Sequence, residues 1–169
     1  MSVYFTGTDT GYAVGGNGVV SIILKTTNGG VNWVPQSTGG ANSFLRSVYF
    51  CNTDTGYAVG NGGKILKTTD GGISWTMQTS GTTQTIFSVF FTDVNHGYAA
   101  GTSGKIFRTI DGGQNWTYTT IFQANDLSSI YFTSADTGYI VGLTGKILKT
   151  TNAGANWTLI TTGTTKDLY

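Results

Sequence analysis

The amino-acid sequence predicts an all-β fold, a β-propeller made of four-stranded antiparallel blades with four blades per chain. Three observations predict it. A phrase of about 41 residues recurs four times, beginning at Ser2, Ser47, Ser88 and Ser129, and a fixed period of roughly 20–50 residues marks solenoids, propellers and arrays. Every copy closes on the same turn followed by a tryptophan, so that Trp33, Trp75, Trp116 and Trp157 stand 42, 41 and 41 residues apart. The 169 residues include 26 glycines, 13% aromatics and a single proline, the composition of short strands joined by tight turns. The copies set blade boundaries at residues 2–46, 47–87, 88–128 and 129–169, together one propeller or half of an eight-bladed ring.

Each element can be read from the second copy. Ser47-Val48-Tyr49-Phe50 is the first strand, a turn follows from Asn52 to Gly56, and Tyr57-Ala58-Val59-Gly60 is the second strand. After the Asn61-Gly62-Gly63 turn come Lys64-Ile65-Leu66-Lys67-Thr68, the turn around Asp70-Gly71-Gly72, and a last strand from Trp75 to Gln78. Four β-prone stretches punctuated by Gly, Asn and Asp describe a meander of hairpins. Val48-Tyr49-Phe50 and Tyr57-Ala58-Val59 are continuous apolar runs, the pattern of a sheet covered on both faces. One copy alone is too small for a core of its own. Copy one carries three extra residues within Gly15 to Ser21, and copy three has Asn95-His96 where copy two has Asp54-Thr55. Both departures fall in turns, where a packed sheet tolerates them.

Bulk chemistry removes several functions. Charged residues are 10% of the chain, glutamate is absent, and the net charge is +1. That balance offers no electrostatic case for nucleic acid or an anionic membrane, and no apolar run approaches the roughly 18 residues of a membrane span. Cys51 is the single cysteine, so no intrachain disulfide forms; it reads as a small packing residue. The opening residues lack a charged segment followed by an apolar stretch, so no signal peptide is read. The reading is of a trimmed or engineered repeat fragment whose natural parent is extracytoplasmic or secreted.

The recurring turn carries the clearest local chemistry. It runs Thr26-x-Asn28-x-Gly30 before Trp33, Thr68-x-Asp70-x-Gly72 before Trp75, Thr109-x-Asp111-x-Gly113 before Trp116, and Thr150-x-Asn152-x-Gly154 before Trp157. The Asp or Asn side chain can accept backbone N–H groups of its own turn. The glycine can take positive φ, and the tryptophan lays a large apolar surface over the hairpin. The motif resembles the Asp-box, or bacterial neuraminidase repeat, in all four copies. The longer phrase, from Asp54-Thr55-Gly56-Tyr57 through Gly63-Lys64-Ile65-Leu66-Lys67 to Asp70-Gly71-Gly72, is similar to photosystem II assembly-factor repeats. That resemblance implies a propeller whose boxes are structural hairpins, and it offers a protein-binding propeller as one reading of function. Asparagine at positions 28 and 152 departs from the box's aspartate, which argues against metal binding.

Resemblance to sialidases would imply three arginines clamping a carboxylate and a glutamate assisting a tyrosine; this chain has only Arg46 and Arg108 and no glutamate. Glycoside hydrolysis needs two placed carboxylates, but Asp9, Asp54 and Asp136 recur at one repeat position and read as turn caps. Asp93, Asp126 and Asp167 read as solvated loop residues. His96, the sole histidine, lacks the neighbours a metal site recruits. Lys25, Lys67, Arg108 and Lys149 recur at one position and Lys64, Lys105 and Lys146 at another; the reading is solubility and edge protection. No catalytic, cofactor or metal residue is therefore assigned. Function is read as a non-enzymatic scaffold or binding module. A glycan-binding or glycoside hydrolase propeller is the alternative.

A blade that is apolar on both faces cannot end in water without exposing a patch that calls for association. Copies one and four are therefore expected to be covered within one molecule or head to tail between molecules. Large residues such as Tyr49-Phe50 and Phe90-Phe91 favour the wider ring. The expected partner is the chain itself, as a homodimer forming an eight-bladed propeller, with a protein or glycan as further partner.

Overall fold

The computed structural model describes residues 2–122 and 124–169. It is all-β, with four four-stranded antiparallel sheets, each a propeller blade whose strands follow one another in chain order. Blade one is β1 (Ser2–Phe5), β2 (Gly11–Gly16), β3 (Ser21–Thr26) and β4 (Val34–Pro35). Blade two is β5 (Leu45–Phe50), β6 (Gly56–Gly60), β7 (Ile65–Thr68) and β8 (Thr76–Gln78). Blade three is β9 (Ile86–Phe91), β10 (Gly97–Gly101), β11 (Lys105–Thr109) and β12 (Thr117–Thr120). Blade four is β13 (Leu127–Phe132), β14 (Gly138–Gly142), β15 (Lys146–Thr150) and β16 (Thr158–Ile160).

The register is the same in each sheet. Tyr57 of β6 lies opposite Tyr49 on one side and Lys67 on the other, as Tyr139 of β14 lies opposite Tyr131 and Lys149. β5 and β13 start two residues ahead of Ser47 and Ser129, because a bulge after Leu45 and Leu127 lets these leucines pair with Gly60 and Gly142. An extra residue on one strand keeps pairing while bending it, and it sends both leucines into the core, where neither is exposed.

The hairpins from β6 to β7, β10 to β11 and β14 to β15 pass through one short 3-10 turn. Its middle residue takes φ near 60° as Gly62, Ser103 or Thr144, and a glycine with φ near 70° follows each time. At that glycine a side chain has no room: a Cβ on Gly63, Gly104 or Gly145 would sit 2.0–2.3 Å from a backbone carbonyl oxygen. Blades two to four keep glycine there and let the preceding residue vary.

The chain divides into two compact units, Met1–Thr85 and Ile86–Tyr169. In the first, Tyr12, Val14 and Ile23 of blade one pack on Val48, Phe50, Ala58, Leu66 and Trp75 of blade two. Tyr12 stacks on Phe50 with ring centroids 3.9 Å apart and planes at 19°. In the second, Tyr98, Ala100 and Ile106 of blade three pack on Ile130, Phe132, Ile140 and Leu148 of blade four. Tyr98 stacks on Phe132 at 4.1 Å and 23°. Each buried ring of this kind is worth about 1.5–3 kcal/mol by area and about 0.5–1.5 kcal/mol more by ring geometry.

Candidate functional site

The Thr-x-Asx-x-Gly turns are built alike. Thr26 Oγ1 donates to Asn28 Oδ1 (3.0 Å) and accepts the Gly30 N–H (2.9 Å), while Asn28 Oδ1 accepts the Asn32 N–H (2.9 Å). Thr68, Asp70, Gly72 and Ser74 repeat this at 2.8, 2.8 and 2.9 Å. Thr109, Asp111, Gly113 and Asn115 do so at 2.8, 2.9 and 2.9 Å. In the fourth turn Thr150, Asn152, Gly154 and Asn156 make the three contacts at 3.0 Å each. All four threonines are buried, and each hydroxyl there both donates and accepts. The tryptophan after each turn stands edge-on to the phenylalanine ending the first strand: Trp33 on Phe5, Trp75 on Phe50, Trp116 on Phe91 and Trp157 on Phe132, at 5.9–6.0 Å.

Where the turn holds aspartate, its charge is held in place. Hydrogen bonds from the Ser74 hydroxyl and backbone, then from Thr68, lower Asp70 to about 2. The Asn115 backbone and side chain, then Thr109, lower Asp111 to about 2. Both carboxylates are committed to their own turns and stay ionised at neutral pH.

The turns also join blades inside each unit. Tyr12 Oη donates to the Gly71 carbonyl (2.8 Å), and Lys25 Nζ donates to the same oxygen (2.7 Å). In the second unit Tyr98 Oη donates to the Ala153 carbonyl (3.1 Å). Burial raises the Tyr12 phenol, with Asp54 and Asp70 pushing the same way. Burial likewise raises Tyr98 against the lowering pull of Arg108, so both phenols remain donors. The lysine position read as solubility is, at Lys25, an inter-blade bond; a cation-donor next to a carbonyl already bound by tyrosine is the physical reason.

Other readings of the loops change. Asp9, Asp54 and Asp136 make no side-chain hydrogen bond among the described residues; it is their backbone carbonyls that accept the N–H of Gly29, Gly71 and Ala153. In blades two, three and four the side chain that caps this turn stands two residues earlier. Asn52 Oδ1 accepts the N–H of Asp54 and Thr55, Asp93 Oδ1 those of Asn95 and His96, and Ser134 Oγ that of Thr137. The signal was an Asx turn, with the acceptor ahead of the residues it caps. Burial works against the Asp93 charge, yet the N–H groups of Asn95 and His96 and the His96 ring hold its carboxyl below the usual range. His96 Nδ1 lies 2.8 Å from Asp93 Oδ2. Asp126 and Asp167 are caps as well, taking the N–H of Ser103 and Thr144 at 3.0 and 2.9 Å. Among the described residues, no three His, Cys, Asp or Glu side chains gather where they could hold a metal ion. No helix of the described residues is long and apolar enough to cross a membrane.

An open recess of about 520 Å³ lies on the outer face of blade one against Val3, Ala13, Gly15, Ile22 and Leu24. It is almost wholly apolar, unlike the polar grooves elsewhere. A second recess of about 190 Å³ in the other unit lies beside Arg108 and Tyr118.

Comparison with known proteins sets this geometry in a family. The family model described as photosynthesis system II assembly factor YCF48 matches residues 1–83 and 74–165. Among curated proteins, none matches the sequence. A solved structure of YCF48 bound to D1 peptide is similar with TM-score 0.60 and 16% identity, over 94% of this chain and 81% of that one. YCF48 from Cyanidioschyzon merolae is similar at 0.74 and 21%, over 92% of this chain and 51% of that one. A Niastella koreensis GH74 enzyme is similar at 0.77 and 22%, over 96% of this chain and 30% of that one. At these identities the structural likenesses establish the fold. The chain spans about half the length of the Cyanidioschyzon merolae protein and under a third of the GH74 enzyme.

Proposed function

The chain belongs to the photosynthesis system II assembly factor YCF48 family, and from that premise we propose that it is a non-enzymatic, polypeptide-binding propeller. The observation that carries this reading is the family match over both units, joined to a structural relative that holds a D1 peptide. The residues agree in kind. The carboxylates of Asp70, Asp111, Asp126 and Asp167 are engaged by N–H groups of turns, which leaves them poor candidates for acid–base work. The Thr-x-Asx-x-Gly turns are structural in this reading: they brace each blade and dock it on its neighbour. The remaining blades of the ring come from head-to-tail association with a second copy, giving an eight-bladed assembly.

The GH74 likeness keeps a glycan reading in play, and one experiment separates the two. The chain is immobilised and titrated with a D1 peptide and a library of unrelated peptides, and in parallel incubated with a panel of β-glucan oligosaccharides. Saturable peptide binding with no sugar cleaved is the expected result. Cleavage of any oligosaccharide, lost on changing Asp54 or Asp136 to asparagine, would replace this reading with the hydrolase one.

A further inference from the structure

We propose that the outer faces of blades one and four are the two halves of one interface, each occupied by a second copy of this chain docked head to tail. This rests on the self-association in the reading above and assigns its contacts.

The interface is already present inside each unit. In both, a tyrosine from the second strand of one blade stacks on the phenylalanine ending the first strand of the next, at 3.9 and 4.1 Å. In both, its hydroxyl bonds the carbonyl that follows the Asx of the next blade's turn, Gly71 or Ala153. A first-strand ring packs alongside, Tyr4 against Tyr49 and Phe90 against Tyr131, each at 5.1 Å. A serine hydroxyl accepts a backbone N–H across the seam, Ser2 from Val48 and Ser88 from Ile130.

Blade four carries the donating half. Tyr139 occupies the place of Tyr12 and Tyr98, but its hydroxyl has no hydrogen-bond partner among the described residues. Lys149, in the place of Lys25, lies 5.6 Å from the Tyr139 ring and donates no hydrogen bond among the described residues. Tyr131 is 60% exposed. Blade one carries the accepting half. Phe5 is 43% exposed against 2% for Phe50 and 4% for Phe132, and Val3 is 60% exposed against 4% for Val48 and 5% for Ile130. The carbonyl of Gly29, in the place of Gly71 and Ala153, accepts no hydrogen bond among the described residues.

The notch for the incoming ring is there too. A Cβ on Gly72 or Gly154 would lie 2.8 Å from the ring of Tyr12 or Tyr98, whereas on Gly30 it would meet only the chain's own Trp33 at 3.8 Å. Blade one is also more apolar than its sisters on this side. Ile22 stands where the other copies have Lys64, Lys105 and Lys146. One half thus offers a ring and two donors, the other a ring slot and an acceptor. Like faces would set donor against donor, so the pairing is blade four of one copy on blade one of the other. Tyr139 then stacks on Phe5 and, with Lys149, bonds the Gly29 carbonyl.

Sedimentation velocity and native mass measurement on the full chain at micromolar concentration test this. The wild type is expected at the mass of two chains, dissociating on dilution. Phe5→Asp and Tyr139→Asp should each run as single chains with an intact β spectrum. Mixing them should restore a two-chain species through the one undamaged pair of faces. Tyr139→Phe, which keeps the ring, should weaken association about a hundredfold, about tenfold for the buried hydrogen bond lost at each of the two seams. A wild type that stays a single chain at every concentration overturns self-association and these contacts together. A two-chain species that survives all three substitutions keeps self-association and overturns the faces assigned here.

Discussion

Blades one and two carry the same aromatic pair in the same geometry. Phe5 meets Trp33 at 6.0 Å and 85°, and Phe50 meets Trp75 at 5.9 Å and 90°. Yet Phe50 is 2% exposed and Phe5 43%, because Tyr12 stacks on Phe50 and, among the described residues, no ring stacks on Phe5. Repetition writes the same residues into every blade, but burial is decided by the neighbour. Identical residues should therefore differ in what they contribute, and substitution can show by how much.

The largest difference should come from the rings themselves. Phe50→Ala empties a site under Tyr12 and beside Trp75, and is expected to cost about 3–5 kcal/mol, as large-to-small core changes do. Phe5→Ala at concentrations where the chain is single should cost less, about 1–2 kcal/mol, since only the covered part of the ring loses burial and water already reaches 43% of it. Urea unfolding of both variants measures the gap. Equal losses in dilute solution would mean that the outer face of blade one is covered by something other than a second copy.

The turn glycines give a smaller contrast of the same kind. Gly72 and Gly30 both have positive φ, 82° and 89°, so alanine at either pays for a left-handed backbone, about 1–2 kcal/mol. Only at Gly72 does the added methyl also strike a ring, Tyr12 at 2.8 Å, and overpacking of that sort adds about 1–3 kcal/mol. Gly72→Ala should therefore lower the unfolding midpoint more than Gly30→Ala when the chain is single. The two should converge at concentrations where a second copy seats Tyr139 over Gly30. Thermal melts across a concentration series would reveal the convergence or its absence.

What the sequence made legible is what is local. The threonine, the Asx and the glycine of each turn meet within four residues of one another, so spacing alone exposes them. Strand order follows from the same punctuation, since each hairpin closes over a short turn. Contacts that cross between blades were not legible. Tyr12 reaches Gly71 over 59 residues and Lys25 reaches it over 46, and no pattern within one copy says that a recurrent lysine points at a neighbouring carbonyl. The caps Asn52, Asp93 and Ser134 were not legible for a different reason. Their residue types differ between copies, whereas aspartate recurs in three of the four copies at the position two residues on. The candidate site follows the same logic: repetition reveals how a blade is built and hides what any one blade is for.

The smallest effect separates the turns by chemistry instead of cover. Asp70 and Asp111 are lowered from 3.8 to about 2 in the folded chain, whereas Asn28 and Asn152 hold the same turn position without a titrating group. A carboxylate whose folded value lies below its unfolded one contributes stability that is complete above the unfolded value. That contribution is lost as pH falls through the folded value. The two aspartate turns should thus weaken between about pH 4 and about pH 2, as the Ser74 hydroxyl and the Asn115 amide lose an ionised acceptor. Asp93 is lowered as well, so some acid sensitivity belongs to its own turn. The double variant Asp70→Asn with Asp111→Asn should melt with a flatter dependence on pH across that window. Melting curves of wild type and variant that run parallel from pH 5 to 2 would show that the carboxylate in this turn does nothing the asparagine of blades one and four does not.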